Sequence, residues 1–415
     1  MHSNGNGLLT NEEQRVPSYH EQSIPTRPEA VNTDTPLESL NLNWRERDLP
    51  ERVRTKHVHR LHPYLGKFIP QLIEIFLRKY FKKGQKILDP FCGSGTTLVQ
   101  ANELGINSIG CDISAFNVLL CQAKTERYDL NKVSREVNDI LDRMKNATHA
   151  QSNQRTLWGQ SLEKPALILS DDDYLKKWFA TKALDQLLTY RYFIEHGDYE
   201  YKDLLKIILS RSARSARLTT HYDLDFPKKP QTEPYWCYKH GRTCQPTTDA
   251  LQFLKRYSID TIRRVQEFAE VRTNAKVQLI HGDSRIVKFP RINGVITSPP
   301  YVGLIDYHEQ HAYAYRLLGL VDRRDEEIGA AANGSSKKAQ AAYQKSIADV
   351  FVNSARSMPK GSRMIVIAGD RCNLYDGIAD LLNVEVEGKI DRHVNRRTGR
   401  RSSEFFESIF IWKKC

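Results

Sequence analysis

One stretch limits what this chain can fold into more than any other: Asp89-Pro90-Phe91-Cys92-Gly93-Ser94-Gly95-Thr96-Thr97. It follows Lys86-Ile87-Leu88, a short apolar run, and precedes Leu98-Val99-Gln100-Ala101-Asn102-Glu103-Leu104, which reads as a helix. The order is strand, glycine-rich turn, helix. Two glycines let the backbone turn tightly and come close to a ligand with no Cβ in the way. The helix that follows offers unpaired N–H groups at its start. About 17 residues past Gly95, Ser108-Ile109-Gly110-Cys111-Asp112 reads as a second strand ending in a carboxylate. Gly-x-Gly alone would also suit a loop that turns for packing reasons. The whole nonapeptide with its spaced acid is far more specific, because an acid at that place holds ribose hydroxyls in nucleotide-binding α/β folds.

The second strong signal is Gly294-Val295-Ile296-Thr297-Ser298-Pro299-Pro300-Tyr301, a strand running straight into two prolines. Prolines donate no ladder hydrogen bond, so the strand must stop at Ser298. With both stretches in one chain, the sequence resembles the amino-methylating S-adenosylmethionine-dependent DNA methyltransferases, whose motif I matches Asp89–Thr97 and whose motif IV matches Ser298–Tyr301. Motif X resembles His62–Pro70 with the helix that Pro70 would start, motif III Val277–Asp283, and motif VIII Arg401–Phe406. The resemblance implies that Tyr64, Lys67, Phe68, Asp89, Pro90, Phe91, Gly93, Gly95 and Thr96 surround the methionine part of S-adenosylmethionine. It implies that Asp112 and Ile113 lie at the ribose and Asp283 beside the adenine. Ser298, Pro299, Pro300 and Tyr301 become the catalytic set, with an aromatic residue of motif VIII beside the target base.

The fold expected is α/β, a Rossmann-like methyltransferase fold with a seven-stranded mixed sheet and a mainly helical insert. Lys86–Leu88, Ser108–Cys111, Val277–Ile280, Gly294–Thr297, Met364–Ala368, Val384–Ile390 and Phe406–Trp412 are the seven candidate strands. Residues 1–50 are polar without a sustained apolar period and read as a disordered leader. Residues 51–124 carry motifs X and I, and 276–415 carry III, IV and VIII. Between them, 125–275 break the strand–helix alternation with apolar periods of helical type and no clear strand. So long an insert exceeds what any connection needs. It becomes the natural target-recognition region. Asp322–Lys338 reads as a charged loop free to move.

Sixty-two basic residues against fifty acidic ones favour a polyanionic partner. Arg211, Arg214 and Arg217 recur at steps of three among small residues, on one helical face suited to phosphates. Two further basic groups read the same way: Lys239 with Arg242 in an aromatic loop, and Arg396, Arg397 and Arg400 in an acid-free run. His57, His59 and His62 alternate in a basic segment without a visible acid or Cys partner, which reads as solvated or phosphate-facing. Cys237, His240 and Cys244 supply three zinc-type ligands, but a tetrahedral structural site takes four and no fourth is evident, so no metal is assigned. Seven cysteines without regular pairing suit a reducing compartment. No apolar run approaches the roughly 18 residues of a membrane span and no secretory signal is visible, so a soluble cytoplasmic protein is the default.

The exocyclic amine of cytosine or adenine is a weak nucleophile because its lone pair is delocalised into the ring. Two acceptors on its hydrogens would localise that pair, and Ser298 Oγ with the Pro299 carbonyl supplies two in a fixed arrangement. The base must first leave the duplex, and Tyr301 offers a ring for it to stack on. Methylation at cytosine C5 needs a Pro-Cys pair, and the sequence has none. Members of the family with Ser at the first position mostly methylate cytosine N4, and those with Asp or Asn mostly adenine N6, so N4 is favoured and N6 stays open. An RNA guanine-N2 methyltransferase and a non-catalytic nucleic-acid-binding subunit are further alternatives. Double-stranded DNA is the implied partner, and a cognate restriction endonuclease is a second candidate.

Overall fold

The computed structural model describes residues 24–150, 170–225, 227–303, 306–330, 334, 336–394 and 405–415. Seven strands form one sheet: β1 (Lys86–Asp89), β2 (Asn107–Asp112), β3 (Val277–His281), β4 (Gly294–Thr297), β5 (Arg363–Ala368), β6 (Val384–His393) and β7 (Phe406–Lys414). Their spatial order is β3-β2-β1-β4-β5-β7-β6. All seven expected strands are present, most of them one or more residues longer than the apolar run that signals each.

Parallel pairing runs from β3 to β5, and β7 then inserts antiparallel between β5 and β6. The buried interior strands are near-continuous apolar runs, as covering on both faces requires. In β5, Ile365 and Ile367 face one core while Met364, Val366 and Ala368 face the other. This period of two assigns each face its own cover. On the first face lies α1 (Pro70–Tyr80), with Pro70 at its first turn and Leu72, Ile73, Phe76 and Leu77 fully buried. On the second lies the helix Lys337–Arg356, through Ile347 and Phe351.

Residues 24–50 correct the expectation of a disordered leader over their length. Val31, Leu40 and Leu42 are buried in the same core as α1, and Leu49 is buried as well. The Asn41 amide also donates to Thr26 Oγ1 at 2.8 Å. A segment with so few apolar residues orders here because the sheet and α1 present a surface already formed. Residues 1–23 lie outside the described part.

After α1 come α2 (Thr96–Glu103) and α3 (Ala115–Thr125), and within 125–275 the helices are α4 (Leu130–Ala150), α5 (Thr181–His196), α6 (Lys202–Ala216) and α7 (Leu251–Val271), with a short one at Asp173–Trp178. Those within 125–275 share one buried core with α3 of the α/β part, through Phe116, Leu120 and Ala123. A two-stranded hairpin, Tyr235–Cys237 with Arg242–Cys244, corrects the reading of this region as strand-free. Three residues per strand are too few to display a period.

Candidate active site

Strand order departs in both directions from β1, so a crevice opens beyond the carboxyl ends of β1 and β4, where ligands of open α/β sheets bind. A cleft lies there, its space of about 840 Å³ including the open mouth. One wall is the loop after β1, with Pro90, Phe91, Cys92, Gly93, Ser94 and Thr96. Asp112 and Ile113 come from the end of β2, Gly282, Asp283 and Ser284 from the end of β3, and Ser298 and Pro300 from the end of β4. Tyr64, Gly66, Lys67 and Phe68 complete it ahead of α1.

The glycine loop is held from several sides. Gly93 and Gly95 have φ of 47° and 76°, conformations that side chains other than glycine's adopt with strain. A Cβ on Gly93 would stand 3.3 Å from Tyr64 Oη, and one on Gly95 only 2.8 Å from Cys121 Sγ. Asp112 Oδ2 accepts the Gly93 N–H at 2.8 Å, while Oδ1 accepts from Ser114 N at 2.9 Å and Asn117 Nδ2 at 3.1 Å. Burial pushes the Asp112 carboxyl above its ordinary range, against the pull of these donors. Three donors leave acceptor capacity on a carboxylate that has about four lone-pair sites. Ser114 caps the helix Ala115–Thr125, accepting from Asn117 N. From that helix, the buried Lys124 Nζ donates to Ser94 O at 2.6 Å, and burial lowers its ammonium to about 7.

Asp89 and Gly95 stand behind the loop and do not line the cleft. Asp89 is buried and accepts from Thr297 Oγ1 at 2.6 Å, tying the end of β1 to the end of β4 directly before Ser298. Burial pushes its carboxyl up to about 6. Asp283 lines the cleft with its carboxylate shared by Arg285, whose Nε and Nη2 approach it at 2.9 and 2.7 Å. Tyr343 Oη donates to Pro300 O at 2.8 Å and meets Tyr375 Oη at 2.8 Å, which pins the turn after Ser298.

Tyr301 departs from expectation. Its ring turns away from the cleft towards Phe405, with centroids 6.2 Å apart, and its hydroxyl donates to Glu407 Oε1 at 3.0 Å. The residue is 9% exposed, so it offers no open stacking face here. Phe405, from the expected motif VIII stretch, is buried against it. Residues missed by sequence reasoning close the far side of the cleft: Tyr307, His308 and Glu327. His308 Nδ1 and Glu327 Oε2 are 2.8 Å apart with both side chains buried, so part of the 322–338 stretch, expected to be a free loop, folds back over the site. A buried His–Glu pair bridging 19 residues leaves no local sequence signal.

The arginine triad is corrected. Arg211 is buried, bonds Asp260 Oδ2 at 2.7 Å and stacks over the Tyr257 ring at 4.2 Å. Arg217 is 2% exposed and lies over Tyr313 at 4.5 Å, and Arg214 pairs with Asp225. The stepped spacing does put them on one face, but that face turns inward, where acids and aromatic rings from other segments meet it. His57, His59 and His62 are likewise buried rather than solvated, and Glu103 Oε1 lies 3.0 Å from His57 Nε2. Lys239 and Arg242 are exposed on the hairpin. Arg396, Arg397 and Arg400 lie outside the described residues.

A family model described as DNA methylase matches residues 12–123. Type II methyltransferase M.MjaII of Methanocaldococcus jannaschii is 37% identical over 88% of this chain and 82% of its own length. The chain belongs to the amino DNA methyltransferase family. Type II methyltransferase M.BsoBI of Geobacillus stearothermophilus is a more distant relative, 23% identical over 66% of this chain and 55% of that protein. Among solved structures, TrmN from Thermus thermophilus matches 85% of this chain and 50% of its own with a TM-score of 0.31 and 10% identity. As in the family, S-adenosylmethionine is the methyl donor of this methyltransferase. The cleft suits it: the glycine loop forms one wall, and Asp112, Asp283 and Glu327 line a space for a cofactor that carries net positive charge. Among the described residues, no helix is long and apolar enough to cross a membrane.

Proposed function

We propose that this DNA methyltransferase methylates the exocyclic N4 amine of cytosine in duplex DNA, after the base has been swung out of the helix, and that it is the protective methylase of a restriction-modification system. The observation that carries the reading is Ser298, which heads Ser-Pro-Pro-Tyr at the end of β4 and lines the same cleft as the glycine loop. In the family, Ser at this position accompanies N4 chemistry more often than N6. The bound cofactor supplies an electrophilic sulfonium methyl. Ser298 Oγ and the Pro299 carbonyl accept the two amine hydrogens, drawing the nitrogen lone pair out of the ring. Asp89, through Thr297, and Tyr343, through Pro300, keep that turn from relaxing. Asp112 holds the ribose hydroxyls with its remaining acceptor capacity, and Tyr64 and Phe68 cover the methionine end. With nucleophile and methyl aligned, much of the rate comes from placement.

The test is direct. Duplex DNA methylated with labelled cofactor, digested to nucleosides and resolved by mass is expected to carry N4-methylcytosine. N6-methyladenine would overturn the base assignment, and labelled N2-methylguanine from RNA alone would overturn the substrate. Ser298→Ala should retain cofactor and duplex binding and lose about 10²–10³ in single-turnover rate, the usual effect of one preorganised polar group. A rate within threefold of wild type would remove the serine from catalysis.

A further inference from the structure

The fourth ligand that the sequence did not reveal is His221. We propose that His221, Cys237, His240 and Cys244 form a structural Zn²⁺ site that holds the 235–244 hairpin as a finger presented to DNA, the second clause resting on the duplex-DNA reading above. One ligand atom from each of the four lies within 4.8 Å of all the others. Cys237 Sγ is 3.6 Å from His221 Nδ1, and His240 Nδ1 is 3.4 Å from Cys244 Sγ. A tetrahedron with Zn–S near 2.3 Å and Zn–N near 2.0–2.1 Å has S···N edges of about 3.5 Å. The fold therefore brings these donors to ligand spacing.

The local backbone explains how. Both His240 N and Gly241 N donate to Cys237 O, at 3.0 and 2.8 Å, and Gly241 takes φ of 61°. This tight turn returns His240 to Cys237, and the hairpin register then brings back Cys244, opposite Tyr235. His221 arrives from the preceding loop, with its Nδ1 2.8 Å from Tyr235 Oη. That hydroxyl must rotate aside when the nitrogen takes a metal. Two thiolates would neutralise the divalent ion, so no carboxylate is needed beside Lys239 and Arg242.

The hairpin also needs such a fastening. Between Thr219 and Asp249, Cys237 and Cys244 are the only buried apolar residues among those described. A two-stranded ribbon this short is marginal without other support, and metal ligation supplies folding free energy where a core is missing. On its outer surface Trp236 is 56% and Tyr238 86% exposed, beside exposed Lys239 and Arg242. Aromatic faces interleaved with cations suit nucleotide contact.

The full chain, purified with reductant and without chelator, is expected to carry about one zinc per chain by atomic emission. Cobalt exchange should give tetrahedral d–d bands with thiolate charge transfer. Cys237→Ser and His221→Ala should each lose the metal while calorimetric binding of S-adenosylmethionine is unchanged, which excludes global unfolding. Cys372→Ser and Cys415→Ser, both exposed, should keep it. Zinc no higher in wild type than in a Cys237→Ser/Cys244→Ser double variant would overturn the site, as would a Cys237–Cys244 disulfide in the reduced preparation, or full zinc affinity in His221→Ala. Stripping zinc should weaken duplex binding at least tenfold with cofactor affinity intact. Unchanged duplex affinity would overturn the finger while leaving the metal count to stand or fall alone. Wild type that holds zinc but binds no duplex would instead count against the DNA reading.

Discussion

Asp89 bears a cost whose pH dependence is measurable. In the unfolded chain it ionises near 3.8, and burial in the fold pushes it up to about 6, despite donors from Thr297, Thr97 and the Phe91 amide. Below about pH 3 both states hold the proton and the fold carries no penalty. As pH rises towards 6 the unfolded chain releases its proton first, so stability from this group falls, and above that it stays lower by about 3 kcal/mol. Asp89→Asn keeps an acceptor for Thr297 and is expected to raise unfolding free energy at pH 8, with the gain shrinking through pH 4 and vanishing at about pH 3. Denaturant midpoints showing the same gain at both pH values would rule out ionisation as the cause. Tyr301 makes a second case at this scale. Tyr301→Phe removes the hydroxyl from Glu407 but leaves Arg392, 2.7 Å away, to hold that carboxylate. The expected loss is about 1 kcal/mol of stability with methyl transfer largely retained. A loss of turnover comparable to that of Ser298→Ala would show that the hydroxyl acts in catalysis.

At the scale of elements, α6 shows how a spacing can be read correctly and its partner wrongly. Arg211, Arg214 and Arg217 occupy neighbouring positions on one face, yet Asp260 from α7, Asp225 from the following loop and the Tyr257 and Tyr313 rings answer them inside the protein. Arg211→Leu should therefore cost about 2 kcal/mol of stability, since Asp260 keeps Arg263 and Arg264 as partial partners. The salt dependence of duplex affinity should not change. A slope reduced by about one unit in log–log form would mean that Arg211 meets a phosphate after all. The 322–338 segment departs in the same direction, because its charge suggested solvent while Glu327 pairs with His308 in the interior.

Across the molecule, the 24–50 segment is structural. It crosses from the α1 face to β6, where the His393 amide donates to Asn43 Oδ1 at 2.6 Å. Leu42 is 1% exposed in that core, so Leu42→Ala is expected to cost about 2–5 kcal/mol. Thermal unfolding within a degree of wild type would show that the segment rests on the domain without stabilising it.

What the sequence determined by itself was whatever is encoded within one element and its adjoining turn. Ile87-Leu88 ahead of Asp89–Thr97, and Gly294–Thr297 ahead of two prolines, state their own conformation, because glycine φ, missing proline donors and buried-strand apolarity are local properties. The family resemblance carried by such stretches also pointed to Tyr64, Gly93, Asp112 and Ser298 before any strand order was known, and all four line one cleft. Tertiary structure alone decided which neighbour each side chain would find. Glu103 met the histidines, Asp260 met Arg211, Glu407 drew Tyr301 out of the cleft and His221 joined the cysteines. Such partners stand from 16 positions apart, as His221 and Cys237 do, to 106, as Tyr301 and Glu407 do. A charge or a ring carries no record in sequence of which distant partner the packed core will bring beside it.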